Sequence, residues 1–159
     1  MSKKLKIAIA ALLLITIIVS AIHLSKQEEV SCMLIKSAGN EIEVSFEDLD
    51  KQDFSGQLID GKGDVTSHAY SGILIKDLLQ DKGIDLSDFS SLTVTSADNY
   101  SVVFTREEIM SDGSVYAATV ADGITIEGIK SGEPGVQIIV FGDENSRRCV
   151  RYAAIIELA

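Results

Sequence analysis

The chain has 159 residues, 46% of them hydrophobic and 24% charged, with one proline, twelve glycines and two cysteines. That length holds one domain with an appendage, and the composition excludes a disordered chain, a fibre, a disulfide-dense scaffold and a four-cysteine zinc site. The net charge is −10, and from Ser25 onward eleven basic residues face 24 acidic ones, a net −13. Such a body repels nucleic acid and anionic lipid at long range, so no nucleic-acid partner is expected.

The N-terminus reads as an address. Residues 7–22 (IAIAALLLITIIVSAI) carry no charge, and Lys3, Lys4 and Lys6 precede them. As a helix the run spans roughly 24 Å, marginal for a bilayer core of about 30 Å. The basic flank predicts insertion with the C-terminal body on the extracytoplasmic face. Two outcomes stay open: an uncleaved anchor, which the length of the run favours, or a signal peptide cut after Ala21, which would release a secreted protein. Glu29-Val30-Ser31 before Cys32 is not a lipoprotein signal. The expected organisation is a signal-anchor at 1–24, a short linker at 25–32 and a folded domain at 33–159.

Along the body, residues 32–36 and 41–46 read as strands around a Gly39-Asn40 turn, with Ile42, Val44 and Phe46 alternating with polar neighbours. Residues 54–69 are polar and glycine-rich and read as a long loop. Its Asp60-Gly61-Lys62-Gly63-Asp64 segment lacks the spacing and closing glutamate of a calcium loop. Residues 72–83 read as a helix, with Leu74/Leu78 and Ile75/Leu79 on one face and Gly83 just past its end. LTVTS (92–96), the Asp98-Asn99 turn and residues 100–104 form a hairpin. Thr105 and Glu108 fit a capping box. Residues 115–121 are a strand, Asp122-Gly123 a turn, 136–141 a strand buried on both faces, and 147–158 a long final strand. The fold class is α+β: mostly β, in mixed or barrel-like sheets with one or two short helices, preceded by the N-terminal transmembrane helix.

These segments resemble a known family. Tyr70-Ser71-Gly72-Ile73-Leu74-Ile75-Lys76-Asp77-Leu78-Leu79 is similar to the aromatic-x-Gly…Asp-Leu-Leu segment of the sulfite-oxidase-like molybdopterin-binding oxidoreductase domain. Residues 94–100 resemble that family's strand, aspartate, turn and tyrosine. The buried 136–141 strand, Gly142-Asp143, Arg151 and Ile156-Glu157 resemble its final strands, and the likeness runs over 33–158. The resemblance implies the fold, and molybdopterin as cofactor. In active members one protein cysteine holds the metal, between the opening strands and the Tyr-x-Gly segment; here residues 54–69 contain none. A soft thiolate is the ligand such a metal needs.

Three functions follow. One is a non-catalytic module that binds a small ligand or a membrane redox protein. The second is an active molybdopterin-dependent oxidoreductase with non-cysteine ligation. The third is an acidic surface scaffold. For the first, His68, Tyr70, Asp98, Asn99, Tyr100, Arg147 and Arg151 are the residues expected to border a residual cofactor pocket. Weighed against this, a lone loop histidine is ordinarily solvated, and Arg147, Arg148 and Arg151 serve equally as surface counter-charges. Cys149 between Arg147 and Arg151 reads either as an activated thiolate or as a half-buried core residue. Pairing of Cys32 with Cys149 is a further alternative in an oxidising compartment. No catalytic residue and no metal ligand is assigned.

Overall fold

The computed structural model describes residues 31–159. The expected signal-anchor at 1–24, with its apolar run at 7–22, and most of the expected linker lie outside the described residues. Among the described residues no helix is long and apolar enough to cross a membrane.

Ten strands and two short helices follow one another: β1 (Cys32–Ser37), β2 (Asn40–Ser45), β3 (Gln52–Ile59), β4 (Val65–Leu74), α1 (Ile75–Asp81), β5 (Ser91–Ser96), β6 (Ser101–Thr105), α2 (Arg106–Met110), β7 (Val115–Ala121), β8 (Ile124–Thr125), β9 (Gln137–Val140) and β10 (Ala153–Leu158). They form two open sheets rather than a closed barrel. One has the order β2-β1-β10-β5-β6; the other runs β3-β4-β7-β8, with β9 also on β7. The first sheet is mixed, because β1 pairs with β10 in parallel. The α+β class therefore holds, with β dominant.

The first sheet is registered by its apolar rows. Ile42, Ile35, Ile156, Val94 and Val102 are successive cross-strand partners over all five strands. A one-residue slip of any strand would turn this row to solvent, so burial of one face fixes the register. The opposite sheet meets it with Ile73, Ala117 and Ile138, and α1 and α2 add Ile75, Leu78, Leu79 and Ile109. A second cluster covers the other face of the β4-β7-β9 sheet: Tyr70, Ala118 and Ile139, with Phe54, Tyr116 and Phe141 against them. Strand β9 thus has apolar neighbours on both sides, Ile138 in one cluster and Ile139 in the other, as its near-continuous apolar run predicts.

Local signals are obeyed closely. Thr105 Oγ1 accepts from Glu108 N at 3.2 Å and Glu108 Oε2 accepts from Thr105 N at 2.7 Å, completing the capping box of α2. Helix α1 ends where Gly83 takes φ +72°; Gly83 N donates to Gln80 O and Ile84 N to Leu79 O, the paired bonds of a Schellman stop. Asn99 adopts φ +69° in the β5-β6 turn.

Three expectations are corrected. Residues 54–69 are not a loop but most of a long hairpin, β3 paired with β4 from Gln52↔Gly72 to Ile59↔Val65. Its outer positions are polar because that face meets solvent. Its glycine at position 56 admits the Phe141 ring, since a Cβ there would lie 2.3 Å from that ring. The expected helix at 72–83 begins only at Ile75; Gly72, Ile73 and Leu74 belong to β4. The expected long strand at 147–158 is broken: Ser146–Arg148 is a 3-10 turn, Tyr152 has φ +54°, and β10 starts at Ala153.

Candidate functional site

The candidate residues fall into two groups on different elements. His68 and Tyr70 alternate along β4 on the aromatic face of its sheet. His68 Nδ1 lies 2.7 Å from Asp122 Oδ2, and Ala69 N donates to Asp122 Oδ1 at 3.0 Å. These bonds hold the Asp122 carboxyl below its ordinary range, the His68 contact first. Asp122 itself has φ +51° in the β7-β8 turn, so the pair fastens that turn to β4. Tyr70 is buried, and its hydroxyl is pushed up to about 12, chiefly by that burial. It packs in a ring cluster in which Phe54 stacks on Tyr116 at 3.9 Å and meets Phe141 edge-on at 6.0 Å.

The second group surrounds the 96–100 turn. Asp98 accepts from Ser96 Oγ and, at 3.3 Å, from Tyr100 N; these bonds lower its carboxyl. The Tyr100 hydroxyl donates to Arg147 O at 2.6 Å, and Ala97 N donates to Tyr152 O at 2.9 Å. The turn therefore gathers Tyr100, Arg147 and Arg151, all exposed. Asp98 and Asn99 shape this turn: one closes it with hydrogen bonds and the other supplies its positive φ.

The arginines divide. Arg148 Nη1 bonds Glu108 Oε1 at 2.7 Å and Asp143 Oδ1 at 3.4 Å; Nη2 reaches Val103 O at 3.4 Å, and the guanidinium lies 4.6 Å from the Phe104 ring centroid. Arg148 is thus committed within the fold, while Arg147 and Arg151 stay at the surface. The sequence showed the capping role of Glu108 but not that its other oxygen holds Arg148. Nor does it reveal that Asp122 clamps β4, or that Phe54, Tyr70, Tyr116 and Phe141 converge. All three are contacts between residues more than ten positions apart.

The break after Ser146–Arg148 also removes the flanking pattern proposed for Cys149. Its Sγ accepts from Val140 N at 3.4 Å, and burial pushes its thiol pKa up. It is a half-buried core residue, not an activated thiolate, and it is not joined to Cys32 although β1 and β10 are neighbours. At pH 8 its thiolate fraction lies below that of free cysteine, whose pKa is about 8.5. Iodoacetamide should therefore label Cys149 more slowly than a cysteine-containing peptide. Peptide mapping against time checks this, and faster labelling would restore the activated reading.

A molybdenum–pterin group finds poor support here. Burial disfavours the thiolate of Cys149, the soft anion such a metal needs. Where the family's cysteine is expected, there is a paired hairpin. Among the described residues no group of three or more His, Cys, Asp and Glu side chains is arranged for a metal. A hollow of about 420 Å³ beside Tyr70 is lined by Asp53, Ser55, Ala69, Ser71 and their neighbours, with no basic side chain to meet a phosphate. Asp98, Asn99, Tyr100, Arg147 and Arg151 do not line it. The described residues do not fit the cofactor.

No family model matches the sequence, and no curated protein matches it. Among solved structures, the fold is similar to that of the sulfane dehydrogenase SoxCD from Paracoccus pantotrophus, with a TM-score of 0.65 at 16% sequence identity. The match covers 80% of this chain and 38% of that one, so the chain spans well under half the length of that protein. At this identity the likeness establishes the fold alone.

Proposed function

We propose that this chain is a membrane-anchored extracytoplasmic domain that keeps the molybdopterin-oxidoreductase fold without its metal chemistry, and serves as a ligand- or partner-binding module. The observation that carries the reading is the state of the sulfur. The Cys149 thiol is half-buried and bonded to backbone, burial disfavours its thiolate, and the segment where the family's cysteine is expected is a β-hairpin. Chemistry in such enzymes resides in the cofactor, which the protein must bind and orient; among the described residues no group of three or more His, Cys, Asp and Glu side chains is arranged to hold its metal. The exposed Tyr100, Arg147 and Arg151 around the 96–100 turn are the remaining features suited to a partner. They give an otherwise acidic body one cationic and aromatic spot, matched to an acidic group on a membrane redox protein or a small ligand. Residues 7–22 hold the domain at the membrane surface.

The test is metal analysis of full-length protein purified from a host that makes the cofactor. Molybdenum far below one atom per chain is the expected result, and a stoichiometric content overturns the reading. Protease treatment of intact cells checks the topology: the body should be cleaved from outside, and full protection would place it in the cytoplasm.

A further inference from the structure

Among the described residues, strand β3 ends its sheet, with β4 on one side and no strand on the other. The Asp60 N to Asp64 O bond closes the hairpin, and bonded pairs alternate from there, so 58, 56, 54 and 52 direct their backbone groups to β4. Asp53, Ser55, Gln57 and Ile59 therefore direct theirs outward. The strand carries no lysine and no proline and has no register shift. Edges are ordinarily blunted by such features. The β6 edge illustrates this, because Arg148 there takes the Val103 carbonyl.

We infer that β3 pairs with β3 of a second copy, antiparallel, about a two-fold axis at Gly56. This register sets Ser55 against the partner's Gln57 and Asp53 against the partner's Ile59, all four with outward backbone groups. On the other face it sets Phe54 against the partner's Leu58. Both residues are only partly buried in their own copy, where they flank the aromatic cluster, so the pairing joins the two clusters into one. Gly56 meets its own equivalent and leaves room for the Phe141 rings. Just beyond the ladder, Asp50 and Lys62 of opposite copies face each other, twice per dimer. Sliding the register by two residues in one direction opposes Asp50 to the partner's Asp60; sliding it in the other opposes Phe54 to the partner's Asp60. Of the three registers, the central one alone pairs Phe54 with Leu58 and Asp50 with Lys62, while it leaves Asp53 opposite Ile59 on the other face. An isologous two-fold contact of this kind closes on itself rather than growing into a fibre. One strand per copy makes a narrow contact of the transient class.

The test is the oligomeric state of the full chain in detergent, by sedimentation equilibrium at low salt, at concentrations up to ~100 μM, suited to a transient contact. A reversible dimer is expected. Ser55→Pro with Gln57→Pro removes two outward N–H groups and none directed to β4, and should give a monomer with an unchanged circular dichroism spectrum. Lys62→Glu should weaken the dimer roughly 10-fold, through two symmetric reversals of charge, and adding Asp50→Lys should restore it. A wild-type monomer across the whole range overturns the inference. So does a dimer that survives the proline pair, as one held by residues 7–22 would, or a Lys62→Glu variant that dimerises as wild type.

Discussion

Gly72→Ala is expected to lower folding stability by about 3 kcal/mol, at the upper end of the ordinary cost of overpacking. Gly72 lies in β4 opposite Ala118, at the register shift where Ser71 still faces Val120. The shift leaves Thr119 as the extra residue of a bulge in β7, and brings the two backbones unusually close. A Cβ on Gly72 would lie 2.1 Å from Ala117 O and 2.7 Å from Ala118 Cα. Both are backbone atoms in the middle of the sheet, so no side-chain rotation relieves the clash, and β4 and β7 must separate. Because β4 carries His68 and Tyr70, the damage should reach the aromatic cluster as well. Urea unfolding measures the loss; a midpoint within error of wild type would mean that the strands are less closely apposed than described.

Phe104→Ala is expected to cost about 3–5 kcal/mol, the usual price of a large buried ring, and to lower the melting temperature by roughly 10–20 °C. Phe104 is fully buried on β6, opposite Leu92, which itself faces Leu158. Its ring also supports the Arg148 guanidinium. Truncation leaves a cavity and loosens the arginine that ties Glu108 of α2 to Asp143. Phe104→Leu should recover much of the core but not the stacked cation. A leucine variant as unstable as the alanine one would assign the effect to the arginine contact rather than to volume. Calorimetry of the three proteins decides.

What the sequence displayed plainly were features closed within a few residues. The β5-β6 hairpin, the Thr105–Glu108 box and the Gly83 stop each depend on neighbours in the chain, and each is present. The 54–69 segment was misread because its reason for being a strand lies elsewhere: Gly56 accommodates Phe141, 85 positions later. Polar outer residues and three glycines look like a loop when that ring is out of view. The start of α1 was placed early because Leu74 and Leu78 have helical spacing, although Gly72-Ile73-Leu74 are held by β7. The final strand was read as continuous because alternation runs through it, and nothing local announces that Tyr152 has a positive φ. Of the candidate site, Tyr100, Arg147 and Arg151 do come together around one turn, whereas His68 and Tyr70 belong to another surface. Arg148, the most heavily bonded of the three arginines, could not be distinguished from its neighbours by sequence alone.

The parallel pairing of β1 with β10 has a mechanical consequence. Strand β1 leaves the N-terminal side at Cys32 and β10 ends at Leu158, one residue before the last. With the two strands parallel, these ends point in opposite directions. A pull between the start of β1 and the end of β10 would load the β1-β10 hydrogen bonds in shear, all together, instead of peeling them one by one. The ordering of the strands thus sets a shear-loaded seam between the first and last described strands.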